Sequence, residues 1–405
     1  MQTYIFNKTR LCGLMVLCIV FLYACKKDKE GAPVITRLRA SSPAPNDSAL
    51  TVAGPGQTVV IQGANLASTR ELYFNGYPTP FNSALFSEEN MVVTIPADMP
   101  FASLDQTKLN TVRVVTANGE FTYSFPIVPP PPVIVGISHE NAAAGTSITI
   151  SGNNFFFVDK VTFPGNKVVT SGITTNASGT SLIVTVPAGV TGGKLSVSNR
   201  YGTGTTQFPF YDFTTGVLCN FDNVNTFSWG SPVESGTTNF PGATGSYAHL
   251  KQSNVGANAW DWYNGSRGVI TNQVNWVAAA NLNDPIDAYV MKFDVYIKQP
   301  FTTGCLYIGP MPDDNWQYMY RFEPWKVAAG ASTLTNGWRT ITIPLNQFKA
   351  KDANGTNGAG TGVASLQVLL GNINEVVKMM FVNDTGTPLP ELDMAIDNIK
   401  VIKLQ

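Results

Sequence analysis

From Pro33 onward the chain alternates apolar and polar residues with a period of two. In Thr58-Val59-Val60-Ile61-Gln62, Val59 and Ile61 are expected to point inward and Val60 and Gln62 outward, as on a half-buried strand. Two later runs, Ala288 to Ile297 and Gly337 to Leu345, alternate in the same way. Few segments carry a helical period, while Gly, Pro, Asn, Ser and Thr interrupt the runs at short intervals. Short strands separated by many turns predict an all-β, multidomain protein.

One unit occurs twice. Gly56-Gln57-Thr58-Val59-Val60-Ile61-Gln62-Gly63-Ala64-Asn65-Leu66 returns as Gly145-Thr146-Ser147-Ile148-Thr149-Ile150-Ser151-Gly152-Asn153-Asn154-Phe155. Phe74-Asn75-Gly76 and Thr94-Ile95-Pro96 find counterparts in Phe163-Pro164-Gly165 and Thr185-Val186-Pro187. Each unit opens on Pro-Val-Ile, at Pro33 and at Pro132, and ends in a turn containing Asn118-Gly119 or Asn199-Arg200-Tyr201-Gly202. Gly63 and Gly152 fall where a bulge or tight turn is needed. The repeated segment resembles that of IPT/TIG domains, and the resemblance implies two immunoglobulin-like sandwiches in series, at 33–128 and 132–211. Pro129 to Pro132 form an unbroken proline run, a semi-rigid spacer between them. The units read as a stalk, or alternatively as ligand binders themselves.

Composition narrows the partners. Charged residues make up 13% of the chain and the formal net charge is −1. That excludes a nucleic-acid footprint, which needs clustered Lys and Arg, and favours an uncharged ligand. The N-terminus predicts export. Lys8 and Arg10 precede an apolar run from Leu11 that ends in Leu22-Tyr23-Ala24-Cys25. This resembles a bacterial lipobox, with Tyr23 departing from the usual residue at its place. It implies a signal peptide over 1–24, lipidation of Cys25 and a charged tether over 25–32. Cys219 and Cys305 then remain in the body, able to pair in an oxidising compartment. With two His in all, no metal site and no cofactor are expected, although Asp222 and Asp397 could donate to a structural cation. Turn capping is the preferred role for Asp222.

All seven Trp lie downstream of Tyr211, at 229, 260, 262, 276, 316, 325 and 338. The densest group is Asn258-Ala259-Trp260-Asp261-Trp262-Tyr263-Asn264-Gly265. On an extended backbone Trp260 and Trp262 share a face, roughly 6.5–7 Å apart, a spacing suited to stacking on sugar rings. Trp229, Trp260, Trp262 and Tyr263 are the expected stacking surfaces, joined by Trp316. Asp261, Asn264 and Arg267 are expected to hydrogen-bond hydroxyls. Trp316, Tyr318, Tyr320 and Phe322 lie two apart and form either a binding floor or a core face, with core favoured for Tyr320 and Phe322. Trp338 is expected to pack.

The Phe221-Asp222 opening, the Gly337-Trp338-Arg339 strand and the closing Ile396-Asp397-Asn398-Ile399-Lys400-Val401 resemble a jelly-roll carbohydrate-binding β-sandwich, placed at 217–405. The whole order resembles bacterial surface glycan-binding lipoproteins of polysaccharide-utilisation systems, most nearly the group whose last domain binds xyloglucan. The resemblance implies a non-catalytic protein at the cell surface of the outer membrane. Its implied partners are a polysaccharide of β-glucan or xyloglucan type, a TonB-dependent transporter complex and a surface glycanase. The alternatives are an adhesin or structural lipoprotein binding protein partners and, less favoured, a glycoside hydrolase. The hydrolase reading needs paired carboxylates across a cleft, and no acid here sits in a recognisable catalytic motif.

Overall fold

A computed structural model of the chain describes residues 31–225, 227–260, 265–310, 317–326, 335–371 and 376–404. The chain divides into two compact units, one ending at Pro130 and the other starting at Pro131.

The first unit stacks two antiparallel sheets. One holds Val34–Ala40, Thr58–Ala64 and Asn90–Thr94; the other holds Tyr77–Pro78, Thr69–Phe74, Thr111–Thr116 and Gly119–Ser124. Val59, Ile61, Leu72, Phe74, Met91, Val112 and Val114 are buried between them. Val60 departs from the expected alternation, since it is also buried. The segment carrying Pro80, Phe81, Asn82 and Leu85 walls a cavity with Thr58, Val92 and Thr94, so the face expected to meet water is partly covered. Asn75 and Gly76 both take positive φ between Phe74 and Tyr77, which pair directly, the geometry a two-residue hairpin demands.

The repeated glycines answer to a close approach. The register of Val34–Ala40 slips between Ile35 and Arg37, opposite Gly63. A Cβ on Gly63 would lie 1.8 Å from the Val34 carbonyl oxygen. In the second repeat the slip falls between Ile134 and Gly136, opposite Gly152, whose Cβ would lie 2.0 Å from the Val133 oxygen. The bulge thus belongs to the partner strand, and glycine accommodates the backbone it throws inward.

The second unit holds four sheets. Two four-stranded sheets, one containing Val133–Ile137 and Ser147–Asn153 and the other Val158–Phe163 and Ser196–Asn199, enclose Ile148, Ile150, Phe155, Val161, Phe163, Leu182 and Val184. A six-stranded sheet then runs Val233–Ser235, Ser246–Val255, Leu389–Lys403, Tyr289–Ile297, Arg339–Pro344, with Val217–Cys219 also on the long last strand. A five-stranded sheet runs Phe227–Gly230, Gly268–Thr271, Val377–Val382, Cys305–Pro310, Tyr320–Phe322. Leu250, Met291, Phe293, Val295, Leu306, Ile308, Val377, Met379, Phe381, Met394 and Ile396 belong to the core shared by these two sheets. Both remaining cysteines are free and buried. Burial pushes the Cys219 thiol up to about 12.

The second sandwich and the C-terminal module share a buried polar junction. Lys292 is fully buried, pairs with Glu140 and sets its ammonium 3.5 Å from the Phe208 ring centroid. Asp294 accepts from Asn141 Nδ2 at 2.8 Å, Asn398 Nδ2 at 2.9 Å and Thr340 Oγ1 at 2.5 Å, with His139 Nε2 at 3.4 Å. Burial favours the protonated form of Asp294, but His139, Asn141 and Thr340 outweigh it, and the carboxyl stays below its ordinary range.

Candidate functional site

The five-stranded sheet has two faces of different character. Leu306, Ile308, Val377, Met379, Phe381 and Val269 point into the shared core. The alternate positions Cys305, Tyr307, Met380 and Val382 form a separate cluster with Met319 on the other side. Register extends this outer face into two rows. One reads Arg321, Tyr307, Met380, Gly268, and the other Gly309, Lys378, Ile270, Trp229. Three strand steps separate Tyr307 from Trp229, roughly 15 Å at the usual strand spacing.

Large aromatics stand at both flanks. Trp229 is 36% exposed and Trp260 45%, whereas Trp276 and Trp338 are buried. The Trp260 ring meets Tyr307 edge to face, centroids 5.9 Å apart. At the other end of the same stretch, a Cβ on Gly265 would lie 3.7 Å from Trp229 Cζ2. Trp260 and Gly265 thus stand beside Tyr307 and Trp229 respectively. Backbone bonds hold the chain leading into Trp260: Ala259 N–H donates to Asn383 O at 2.8 Å and Asn258 N–H to Thr385 O at 2.9 Å.

Beneath Trp260 lies a charged support. Tyr307 Oη donates to Asp384 Oδ2 at 2.8 Å, and Arg321 Nη1 donates to the same oxygen at 2.7 Å. Arg321 Nη2 donates to Glu323 Oε1 at 2.7 Å, and Lys326 lies 2.9 Å from that oxygen. Burial raises the Tyr307 pKa, and the bond to Asp384 raises it further. Asp384 is pulled upward by burial, yet its bonds to Arg321 and Tyr307 leave it below the usual carboxylate range. Arg321 stays charged: burial opposes its charge, but Glu323 and Asp384 outweigh it.

The expected site residues separate accordingly. Trp229 and Trp260 stand on the outer face. Arg267 is corrected: expected to meet sugar hydroxyls, it is 0% exposed. It precedes Gly268 on a strand where the outer positions are Gly268 and Ile270, so alternation turns it inward. Asp261, Trp262, Tyr263, Asn264, Trp316 and Cys25 lie outside the described residues. Phe322 is core and Tyr318, Tyr320 and Trp325 pack against it; Trp325 Nε1 donates to Gly304 O at 2.9 Å. Trp338 packs with Phe240 and Tyr247. Asp222 accepts from Ser246 N–H at 2.8 Å. Tyr307, Arg321 and Asp384 were missed by sequence reasoning. The one signal for Arg321 was its place between two core-facing aromatics.

Known proteins share this architecture. The surface glycan-binding protein B of Prevotella bryantii superposes with a TM-score of 0.69 at 21% identity, covering 93% of this chain and 99% of that one. The SGBP-B from a complex xyloglucan utilization locus in Bacteroides uniformis gives 0.54 at 18%, covering 92% and 99%. These likenesses establish the fold. An IPT/TIG domain-containing protein of Bacteroides ovatus is 29% identical over 160 residues, 39% of this chain. The match spans a third of that relative's length, 33%. Residues 210–403, which form the two large sheets, match the family described as surface glycan-binding protein B xyloglucan binding domain.

Proposed function

We propose that the outer face of the five-stranded sheet, between Trp229 and Trp260, holds an extended uncharged polysaccharide of β-glucan type, xyloglucan-like, without cleaving it. The observation that carries this reading is the pair of exposed indoles, Trp229 and Trp260, on one sheet face. Indoles offer flat apolar surface to the C–H faces of sugar rings. The family matched by residues 210–403 supports the ligand class. Within this reading the protein is lipid-anchored through Cys25 at the outer surface of the outer membrane. It presents the captured glycan to a TonB-dependent transporter and a surface glycanase, and the IPT/TIG-like units serve as its stalk. The described acids of the face support binding over hydrolysis: Asp384 and Glu323 are tied to Arg321, and a general acid needs a raised pKa, opposite to the shift at Asp384.

Affinity electrophoresis in a xyloglucan gel tests the reading. Wild-type protein is expected to be retarded, and Trp260→Ala and Trp229→Ala each to lose retardation while keeping native circular dichroism. Unchanged mobility of both variants, or release of reducing sugar by the wild type, overturns it.

A further inference from the structure

A cavity of about 270 Å³ opens at the end of the same sheet face, beyond Arg321, close to the lower bound of small-ligand sites. Arg321, Glu323, Lys326, Gln347, Lys349 and Gly358 line it. The sheet itself reaches further than its five strands. Met319 N–H donates to Lys349 O at 3.0 Å and Lys349 N–H to Met319 O at 2.9 Å, so the two residues stand opposite each other in an antiparallel bridge. Opposed residues share a face, and Met319 belongs to the outer cluster of Tyr307 and Met380. Lys349 therefore extends the outer face by one more step, while its neighbour Phe348 is buried in the core. Across the sheet the order is Trp229, then Trp260 beside Tyr307, then Arg321, then Lys349.

The cleft is braced on its loop side. Arg321 Nη1 donates to Asn357 O at 3.1 Å, and the guanidinium lies 5.3 Å from the Tyr307 ring centroid. A Cβ on Gly358 would lie 2.9 Å from Arg321 Cγ, which sets the loop directly against the arginine stem. Asp352 Oδ1 accepts from Asn354 N–H at 2.9 Å and from Thr356 N–H at 2.8 Å and so stiffens that loop. The cations of the cleft are unequally committed. Arg321 is paired with Glu323 and Asp384, and Lys326 with Glu323. Lys349 is paired with none of the described carboxylates. The Gln347 amide makes one long bond, from Nε2 to Asn346 Oδ1 at 3.4 Å.

We infer that this cleft is an end subsite of the glycan face for a further neutral sugar unit, read by Lys349 and Gln347 as specificity-determining residues; this rests on the proposed capture of an extended glycan across the sheet. A chain lying on Trp229 and Trp260 and continuing in the same direction meets Arg321 and then the cleft. The lining selects hydroxyls over an acid group. A hydroxyl both accepts and donates, so it can take a bond from the Lys349 ammonium and give one to Glu323 or to the Gln347 amide oxygen. A carboxylate only accepts, and it would face the Glu323 charge across a cleft whose other two cations are already paired.

Isothermal titration of the full chain with xyloglucan tests the end subsite. Lys349→Met keeps the stem and removes the donor, and it should weaken binding by about tenfold or more, the scale of one hydrogen bond to a charged group. Ala359→Trp, on the cleft wall, should fill the space and weaken binding with Lys349 still in place. Lys351→Met removes an exposed lysine outside the cleft and should bind as the wild type does. Urea midpoints close to that of the wild type are expected for all three. Carboxymethyl cellulose should bind no more tightly than hydroxyethyl cellulose. Wild-type affinity in Lys349→Met or Ala359→Trp, an equal loss in Lys351→Met, or a preference for the carboxymethyl glucan that depends on Lys349 overturns the end subsite and leaves the glycan face standing. Absence of xyloglucan binding by the wild type overturns the face itself, and the end subsite with it.

Discussion

Lys292 and Glu140 meet as a buried ion pair although 152 residues of chain separate them. Lys292 comes from the C-terminal module and Glu140 from the second sandwich, so neither domain satisfies its own charge. Removing one partner strands the other in a low-dielectric interior, at a cost of about 3–5 kcal/mol. Lys292→Ala and Glu140→Ala should each lower the unfolding free energy of residues 131–405, read from urea titrations, by that scale. Lys292→Met with Glu140→Leu should recover much of the loss, because an apolar pair leaves no unpaired charge. A fragment restricted to 217–405 lacks Glu140, His139 and Asn141 together and should be less stable than one that keeps the sandwich.

The carboxyls beside this pair titrate in opposite senses. Burial, followed by the neighbouring Asp294 and Asp222 charges, pushes Asp397 well above its ordinary value of 3.8. A carboxyl raised on folding holds its proton more tightly in the native state. Its stabilising contribution is therefore complete below the unfolded pKa and is lost as pH climbs through the folded one. Asp294, held low, acts the other way: its contribution is complete above the unfolded pKa and is lost as pH falls through the folded one. Asp397→Asn removes the first effect alone. The variant should lose the part of the stability decline that sets in from about pH 4 upward while keeping the acid-side loss due to Asp294. Urea midpoints across pH decide this, and a pH profile parallel to the wild type would refute it.

These residues also show where a sequence ceases to be legible. The run Ala288 to Ile297 alternates cleanly and is the strand Tyr289–Ile297. In that alternation Lys292 and Asp294 occupy what reads as the solvent face. They are 0% and 1% exposed, because the second sandwich covers that face. A period of two reports which residues share a side and is silent on what lies over it. Val60 was misplaced for the same reason, and Arg267 because a charge was assumed to seek water. On the candidate face, exposed Trp229 and Trp260 were legible from the clustering of Trp in the last domain. Their support was not: Tyr307, Arg321 and Asp384 come from three separated segments, and only the fold brings them together.

That support yields a graded prediction. The edge-to-face contact of Tyr307 with Trp260 is worth about 0.5–1.5 kcal/mol. Tyr307→Leu removes it and leaves the indole free to reorient, so xyloglucan affinity should fall by roughly two- to tenfold. Tyr307→Phe keeps the ring and loses the hydroxyl's bond to Asp384 and the one it accepts from Arg321 Nη1 at 3.3 Å, while the Asp384 oxygen still accepts from Arg321. Its affinity should stay near wild type, with about 1 kcal/mol lost in stability. Isothermal titration and urea unfolding separate the two effects, and equal affinity losses in both variants would show that the ring contact is not what positions Trp260.

The bulge glycines offer a test inside each repeat. An alanine methyl at Gly63 would stand 1.8 Å from the Val34 carbonyl oxygen, and one at Gly152 2.0 Å from that of Val133. The obstacle is backbone in both cases, so relief requires moving a strand, and the cost should reach about 1–3 kcal/mol. Gly136 provides the control. It lies on the bulged strand itself, and a Cβ there would meet only the Ser151 hydroxyl oxygen, at 3.4 Å. Gly136→Ala should therefore leave the urea midpoint of the second unit nearly unchanged while Gly152→Ala lowers it. Gly63→Ala should do the same to the first unit, made as a separate fragment. Equal midpoints for Gly152→Ala and Gly136→Ala would mean that the bulge yields cheaply, and that the glycine common to the two repeats is there for some reason other than the approach of the neighbouring carbonyl.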